Sequence, residues 1–161
     1  MKAVRIFETG GPEVLHLADV EMTEPGPGEI RVRHEAIGLN FIETYQRSGL
    51  YPIPLPGGLG QEAAGVVEAV GPDVVRFSRG DRVAYASGPP GAYSEAHVVW
   101  ADRAVRVPDT VSFEVAAASL LKGMTAEYLL RRTFRVEAGM TILVHAAAGG
   151  VGSLLCQWAA S

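Results

Sequence analysis

Cysteine is nearly absent from the chain, and its scarcity excludes two kinds of architecture. Cys156 is the single cysteine among 161 residues, so no internal disulfide can form and no zinc site can be built from cysteines. The chain has four scattered histidines, His16, His34, His97 and His145. We expect each to be a surface residue or a hydrogen-bonded core residue rather than a metal ligand.

Long basic and long apolar runs are also missing. No basic run exceeds Arg131-Arg132, and a net charge of −4 with an isoelectric point near 5.6 argues against a nucleic-acid-binding surface. No segment approaches the roughly 20 apolar residues of a membrane span. The N-terminal MKAVRIFETGGPEV lacks the apolar core of a signal peptide. With 48% apolar residues, we expect a folded cytoplasmic protein without nucleic-acid or membrane partners.

The chain up to Pro108 predicts a β domain. Segments that alternate or are rich in β-branched residues are separated by Gly- and Pro-rich turns, which favours a barrel or a barrel-like sandwich. The predicted strands are residues 2–7, 14–20, 29–37, 62–70, 81–86 and 93–100. One short helix interrupts them, with Asn40 as its expected N-cap and Glu43 three residues later.

After Pro108 the pattern changes from strands to helices. Residues 112–121 and 125–134 predict two helices, and the apolar run 141–146 (TILVHA) is typical of a buried strand. Three glycines follow at once, and residues 153–160 predict another helix. The fold class is therefore mixed α/β. Since a parallel α/β domain needs several such units, we expect the chain to be the front portion of a truncated two-domain protein.

A glycine turn between a strand and a helix can bind the phosphates of a dinucleotide. Glycines let the backbone approach a pyrophosphate, and the N–H groups and dipole at a helix N-terminus favour negative charge. In residues 146–152 (AAAGGVG), Ala147 replaces the first glycine of the usual G-x-G-x-x-G pattern. The alternative is a tight helix-entry turn that binds no ligand. The residue that selects NAD or NADP is expected about 20 residues beyond the turn, past Ser161.

Four segments carry a family resemblance. They are GGPEVL near the N-terminus, AIGLNFIETYQRSGLYP in the centre, LKGMTAEYLL, and GMTILVHAAAGGVG at 139–152 with Gln157 beyond it. Together they resemble the quinone oxidoreductase/zeta-crystallin family of the medium-chain dehydrogenase/reductase superfamily, over essentially the whole chain. Ala160 departs from the family's usual Lys, Arg or Ser. The resemblance implies a GroES-like β-barrel catalytic domain at 1–122, then an interdomain helix and the start of an incomplete Rossmann-fold cofactor domain at 123–161.

The stretch GLGQEAAGVVEAVG bears on a metal site. Zinc alcohol dehydrogenases of the same superfamily carry Gly-His-Glu where this chain has Gly-Gln-Glu, and Gln61 stands in place of the histidine that binds zinc. A neutral amide is a poor zinc ligand, and the cysteine that the zinc enzymes carry after the preceding strand is absent from residues 38–40 (GLN). The resemblance therefore implies a zinc-independent enzyme, in which Gln61 and Glu62 order the turn.

A reductase without a metal depends on hydride from the nicotinamide and on hydrogen-bond donors near the acceptor's oxygens. The resemblance places the counterparts of Asn40, Tyr45 and Tyr51 near the nicotinamide or the substrate, and Thr125 looks like a threonine that touches the cofactor. The alternatives are a helix N-cap for Asn40, packing for the tyrosines and a helix cap for Thr125. The expected cofactor-binding residues are Asn40, Thr125, Ala148, Gly149, Gly150, Val151 and Gly152.

The leading hypothesis is a zinc-independent oxidoreductase that transfers hydride from NADPH to a quinone or another electron-poor small molecule. A homodimer is expected because family members commonly dimerise. The alternatives are an enone or enoyl reductase of the same superfamily, and a non-catalytic NADPH-binding crystallin-like or RNA-binding protein, against which the acidic charge argues. The 161-residue chain by itself is expected to be inactive, because a nucleotide site needs the rest of the Rossmann sheet.

Overall fold

The structure is a computed structural model that describes residues 1–161. The chain divides into two compact units, Met1–Ala118 and Ser119–Ser161. The first unit is mostly β and the second is mostly helical. The domain assignment 1–122 and 123–161 stays a prediction, because the contact boundary falls inside a continuous helix.

Eight strands form two antiparallel sheets in the first unit. The three-stranded sheet has the order β2-β1-β4, and the five-stranded sheet has the order β7-β3-β5-β6-β8. The strands are β1 (Lys2–Ile6), β2 (His16–Asp19), β3 (Glu29–Gly38), β4 (Gly57–Gly58), β5 (Glu62–Val70), β6 (Arg82–Tyr85), β7 (Ala96–Trp100) and β8 (Ala104–Arg106).

The longest pairing joins β3 to β5. Its register runs from Ile30 opposite Val70 to Gly38 opposite Glu62, with two irregularities along the way. The end of β3 and the start of β5 therefore lie side by side. As a result, the residues that follow Gly38 enter the region next to Glu62.

The core of the first unit is built mainly by the five-stranded sheet. Val32 on β3 pairs with Val67 on β5, and both side chains are fully buried. Each apolar side chain buried in this way stabilises the fold by about 1.5–3 kcal/mol. The main cluster also contains Ile30, Ala63, Phe77, Val83, Tyr85, Ala92, Val99, Ala101 and Ala104.

Most of the predicted strands are present with shifted ends. Strand β5 has the predicted bounds 62–70, whereas the predicted strand 14–20 is shortened because a 3-10 turn occupies Pro12–Val14. The predicted strand 93–100 begins only at Ala96. Strands β4 and β8 were not predicted, since two or three residues are too few to show an alternating pattern.

Two helices, α1 and α2, contain predicted site residues. Helix α1 (Ile42–Ser48) ends at Gly49, whose φ of +85° provides a left-handed C-cap. Helix α2 (Phe113–Tyr128) continues as a π-helical turn at Leu129–Thr133. The prediction of two separate helices, 112–121 and 125–134, is therefore wrong: Gly123 lies inside one helix, and a glycine there weakens a helix without ending it.

The predicted strand 141–146 is also wrong. The segment precedes helix α3 (Gly150–Ala159), but it forms no strand, and Leu143 within it is 82% exposed. A strand exists only through hydrogen bonds to a neighbouring strand. The second unit has no other strand to supply them, so the apolar run alone does not specify one. No helix in the structure has both the length and the apolar character needed to cross a membrane.

Close backbone approach at Gly65 gives a test of the β3–β5 pairing. A Cβ at Gly65 would overlap the Arg33 carbonyl on β3, whereas a Cβ at Gly123 would meet nothing within 4 Å. We expect G65A to lower the free energy of unfolding by about 1–3 kcal/mol, since overpacking forces the backbone to shift. G123A is the matched control and should raise it by about 0.5–1 kcal/mol. Urea unfolding measures both, and equal stabilities for the two variants would contradict the close approach.

Candidate active site

Asn40 lies in a buried polar cluster between β3 and α1. Its side chain is 9% exposed, and Nδ2 donates a 2.8 Å hydrogen bond to Oε2 of Glu62. Glu62 is fully buried at the start of β5. The register that sets Gly38 opposite Glu62 explains how two residues 22 positions apart meet.

The predicted N-cap role of the Asn40 side chain is wrong. Helix α1 has no side-chain cap, and its first boundary residue is Phe41. The reason is geometric, because the Asn40 amide is directed to Glu62 rather than to the first N–H groups of the helix. The prediction that Glu62 orders its neighbours stays a prediction, and its bond to Asn40 supports it.

Glu43, in the first turn of α1, connects this cluster to a third part of the chain. Its Oε2 accepts a 2.6 Å hydrogen bond from the backbone N–H of Asn40 and a 2.8 Å hydrogen bond from the Tyr93 hydroxyl. The first of these joins the Glu43 side chain to the backbone three residues earlier. Its other oxygen, Oε1, is buried without a hydrogen-bond partner.

The electrostatics of Glu43 follow from its burial. Desolvation raises the pKa of Glu43 above its ordinary value, and the nearby Glu62 acts in the same direction. The N–H groups of Asn40 and Gln61 and the Tyr93 hydroxyl lower the pKa of Glu43. The Gln61 N–H is nearby but makes no hydrogen bond of normal geometry with Oε1. Burial and the hydrogen bond to Glu43 raise the pKa of Tyr93, so this hydroxyl stays protonated and donates.

Tyr45 and Tyr51 form an aromatic group at α1. Their ring centroids lie 5.3 Å apart, and Phe41 meets Tyr45 edge-on at 5.2 Å. Phe41 is 71% exposed and Tyr51 is 49% exposed. The two predicted tyrosines are therefore brought together, on a surface of aromatic faces that a flat molecule could contact.

Metal ligands are not grouped anywhere in the structure. No three His, Cys, Asp or Glu side chains are placed so that they could hold a metal ion. Gln61 is half-buried beside Glu62. His16 and His145 are exposed, whereas His34 and His97 are partly buried.

The His34 ring links two strands of the five-stranded sheet. Its Nδ1 lies 2.7 Å from the Ser94 carbonyl oxygen, which can only accept, so Nδ1 carries the proton and Nε2 accepts from the Tyr85 hydroxyl at 2.8 Å. Burial lowers the pKa of His34 to about 4, and the nearby His97 acts in the same direction. Burial also lowers the pKa of His97.

The lowered pKa of His34 predicts an acid-sensitive fold. Between pH 6.5 and about 4 the folded state binds fewer protons than the unfolded state, so the free energy of unfolding falls as the pH falls. The loss from His34 is at most about 3 kcal/mol. H34Q keeps a donor for Ser94 and an acceptor for Tyr85, and should flatten this dependence in urea melts at pH 7 and pH 4.5. H16Q, at an exposed histidine, is the control, and equal slopes in H34Q and wild type would contradict the assignment.

Helix α3 begins at the predicted glycine turn. Gly149 is its N-cap residue, and no side chain caps the helix. The Gly149 N–H donates to the Ala146 carbonyl at 2.8 Å, and Ala146 itself adopts a positive φ of 51°. A Cβ at Gly152 would overlap that carbonyl. The turn is therefore tight. The first N–H groups of α3 point out of the helix N-terminus, which is the end of a helix that favours anions.

Thr125 does not occupy the predicted position at the start of a helix. It lies within α2, where its Oγ1 donates a 2.9 Å hydrogen bond to the Leu121 carbonyl. This bond to the residue four positions earlier is how threonine commonly satisfies its hydroxyl inside a helix. The helix-cap reading of Thr125 is therefore wrong, and its role as a cofactor contact stays a prediction. Ala148, also expected to bind cofactor, is exposed just before α3.

Sequence reasoning missed the role of Tyr93 in the polar cluster and the burial of Gln46 on the same helix as Glu43. Tyr93 was assigned to a strand, and its contact with Glu43 spans 50 residues, so no local pattern could reveal it. Gln46 is 5% exposed, and its Oε1 is buried without a hydrogen-bond partner. The i, i+3 spacing of Glu43 and Gln46, which puts both on one helix face, was the only available signal.

Comparisons with known proteins agree with this architecture. Residues 26–109 match the family model of the alcohol dehydrogenase GroES-like domain. A quinone oxidoreductase of Pseudomonas aeruginosa is 61% identical over 159 residues, which are 98% of this chain and 49% of that protein. A 2-haloacrylate reductase of Burkholderia sp. is 43% identical over 164 residues, covering 98% of this chain and 49% of the relative.

A solved structure gives the same result. The crystal structure of Escherichia coli quinone oxidoreductase complexed with NADPH matches with a TM-score of 0.98 at 51% identity, over 99% of this chain and 49% of that chain. The chain thus spans about half the length of the relatives that it matches. It belongs to the proteins with an alcohol dehydrogenase GroES-like domain, and within that family it is similar to the quinone oxidoreductases. The predicted resemblance and fold class are confirmed.

Proposed function

We propose that the whole protein is a zinc-independent oxidoreductase that transfers hydride from NADPH to a quinone. The observation that carries the proposal is the uncapped N-terminus of α3 at a glycine turn, in a chain whose first unit holds Asn40 in a buried polar cluster. The relatives named quinone oxidoreductase, one of them solved with NADPH, support it.

The glycine turn fits a dinucleotide phosphate. Residues 148–152 would hold the pyrophosphate through backbone N–H groups, because no side chain competes for them and the helix dipole favours an anion. Gly152 keeps the turn closed against the Ala146 carbonyl. Thr125 and Asn40 are the proposed contacts nearer to the nicotinamide. When bound, NADPH supplies the hydride.

The residues of the first unit would orient the acceptor. Glu62 accepts a hydrogen bond from Nδ2 of Asn40, which fixes the orientation of the amide before any ligand arrives. A preorganised donor costs little reorganisation when charge develops on a quinone oxygen. Tyr45 and Tyr51 would add hydroxyl donors and aromatic faces, against which a flat ring packs well.

Zinc independence rests on the residues that stand at the family's ligand positions. Gln61 offers a neutral amide, and residues 38–40 hold no cysteine where the zinc enzymes carry one just after the same strand. Amide oxygens bind Zn²⁺ weakly beside imidazole and thiolate. The proposed reaction therefore uses positioning and hydrogen bonding, not a Lewis acid.

An enone reductase is the second candidate, favoured by the similarity to a 2-haloacrylate reductase. A quinone and an enone share a conjugated carbonyl that accepts hydride, so the same donors would serve both. The acidic net charge of −4 argues against an RNA-binding role. We also propose that the protein is a homodimer and that it is cytoplasmic. Only the family resemblance supports the homodimer.

Alanine at Gly152 tests the nucleotide site. Its Cβ would push the turn away from the Ala146 carbonyl and displace the N–H groups proposed to bind phosphate. We expect the Kd for NADPH to rise at least about tenfold in the whole protein, measured by fluorescence titration. The control G123A, inside α2, should bind as wild type does. Unchanged binding by G152A would contradict a phosphate site at this turn.

Alanine at Asn40 tests the acceptor site and the substrate class together. We expect N40A to lower kcat/KM for quinone reduction by about tenfold or more, because an oriented donor is removed. The control S78A changes an exposed serine and should leave the rate unchanged. The assay follows NADPH oxidation with a simple quinone and with an α,β-unsaturated carbonyl. Faster turnover of the second would favour the enone reductase, and no turnover of either would refute both.

A further inference from the structure

We propose that Glu43 and Tyr93 are positioning residues, which hold Asn40 in the orientation that the reaction uses. The inference rests on the proposed function in one respect, since Asn40 matters to the reaction only if it contacts the nicotinamide or the acceptor. No motif of the sequence assigns either residue a role beyond the helix start and a strand. Their role is instead indicated by the geometry that surrounds them.

The backbone of Tyr93 is hydrogen-bonded to two neighbouring segments. Its N–H donates to the Leu59 carbonyl at 2.9 Å, and its carbonyl accepts from the Val4 N–H at 2.7 Å. Its ring packs against Gly60, where any Cβ would overlap the ring, and against the apolar cluster of Ile6, Val14 and Leu59. The Tyr93 hydroxyl is therefore presented from a rigid part of the fold.

One oxygen atom of Glu43 accepts hydrogen bonds from both Tyr93 and Asn40. Oε2 of Glu43 accepts from the Tyr93 hydroxyl at 2.8 Å and from the Asn40 N–H at 2.6 Å. The Asn40 side chain is held separately by Glu62. Asn40 is thus fixed at its backbone by Glu43 and at its amide by Glu62, and both carboxylates come from elements outside its own loop.

The burial of Glu43 is more than a helix start requires. Its Oε1 is buried and makes no hydrogen bond of normal geometry, although the Gln61 N–H is nearby, and Oε1 of Gln46 one turn later also has no hydrogen-bond partner. A buried polar atom without a partner costs stability. The exposed Glu13 makes the same kind of local bond without that cost, accepting from the Gly11 N–H at 2.7 Å. We infer that Glu43 is buried because its carboxylate must reach both Tyr93 and Asn40.

A spectroscopic experiment tests the proposal without relying on activity. Asn40 is the only asparagine among residues 1–161, and in the ¹⁵N-asparagine-labelled whole protein its backbone amide signal is assigned by its loss in N40D. In wild type, that signal should shift with pH as Glu43 titrates, with a pKa that burial raises above its ordinary value. In Y93F the titration should move to still higher pH, because a hydrogen bond to the ionised carboxylate is lost. In E43Q it should disappear.

Y85F is the matched control. Like Y93F it removes one tyrosine hydroxyl, here from Tyr85 in β6, but that hydroxyl bonds His34 and not Glu43. Its Asn40 signal should titrate as in wild type. The groups that face Glu43 are Glu62, Tyr93 and the N–H groups of Asn40 and Gln61. Glu62 is the other carboxylate beside Asn40, and a titration that persists in E43Q would therefore be assigned to Glu62. The proposal would be overturned if the pH titration of the Asn40 signal were unchanged in Y93F and E43Q, or if Y85F changed it as much as Y93F does.

A double-mutant cycle connects the positioning to the reaction. In the whole protein, Y93F should lower kcat/KM for NADPH oxidation by about three- to tenfold, and it should have no further effect in N40A. Additive effects of Y93F and N40A would mean that Tyr93 is merely structural and would refute the positioning role. Absence of NADPH oxidation in wild type would refute the proposed function, whereas the Asn40 signal would still decide whether Glu43 and Tyr93 hold Asn40.

Discussion

The pairing of β3 with β5 is the constraint on which the candidate site depends. It places Gly38 opposite Glu62, so Asn40 leaves the sheet directly beside a fully buried carboxyl group. The approach is so close that a Cβ at Gly38 would lie 2.5 Å from Oε2 of Glu62. A register shift of one residue would turn Glu62 to the other face of the sheet and remove the partner of the Asn40 amide.

The start of β5 is also where Glu62 meets Asn40 and where the resemblance to zinc alcohol dehydrogenases compares Gln61 with a histidine. Gln61 lies just before β5 and Glu62 is the first residue of the strand. Glu62 keeps the inward position and anchors Asn40. Under the proposed function, Gln61 replaces the histidine ligand that the resemblance implies, while Glu62 keeps its bond to Asn40.

The sequence predicted the parts of the protein that are specified locally. The bounds of β5 follow from its own apolar residues, and the glycine turn before α3 follows from the spacing of Gly149, Gly150 and Gly152. The contact of Glu43 with Tyr93 could not be predicted, because it depends on tertiary packing across 50 residues. The strand expected at 141–146 failed for a related reason, since pairing partners and not apolar character make a strand.

A crystal structure of the whole protein with NADPH bound tests the account's central claim most directly. The account predicts that Asn40 keeps its hydrogen bonds to Glu43 and Glu62 while contacting the nicotinamide, and that the pyrophosphate lies on the N–H groups at the start of α3. Density that places the nucleotide away from Gly149–Gly152, or an Asn40 amide turned away from Glu62, would contradict it.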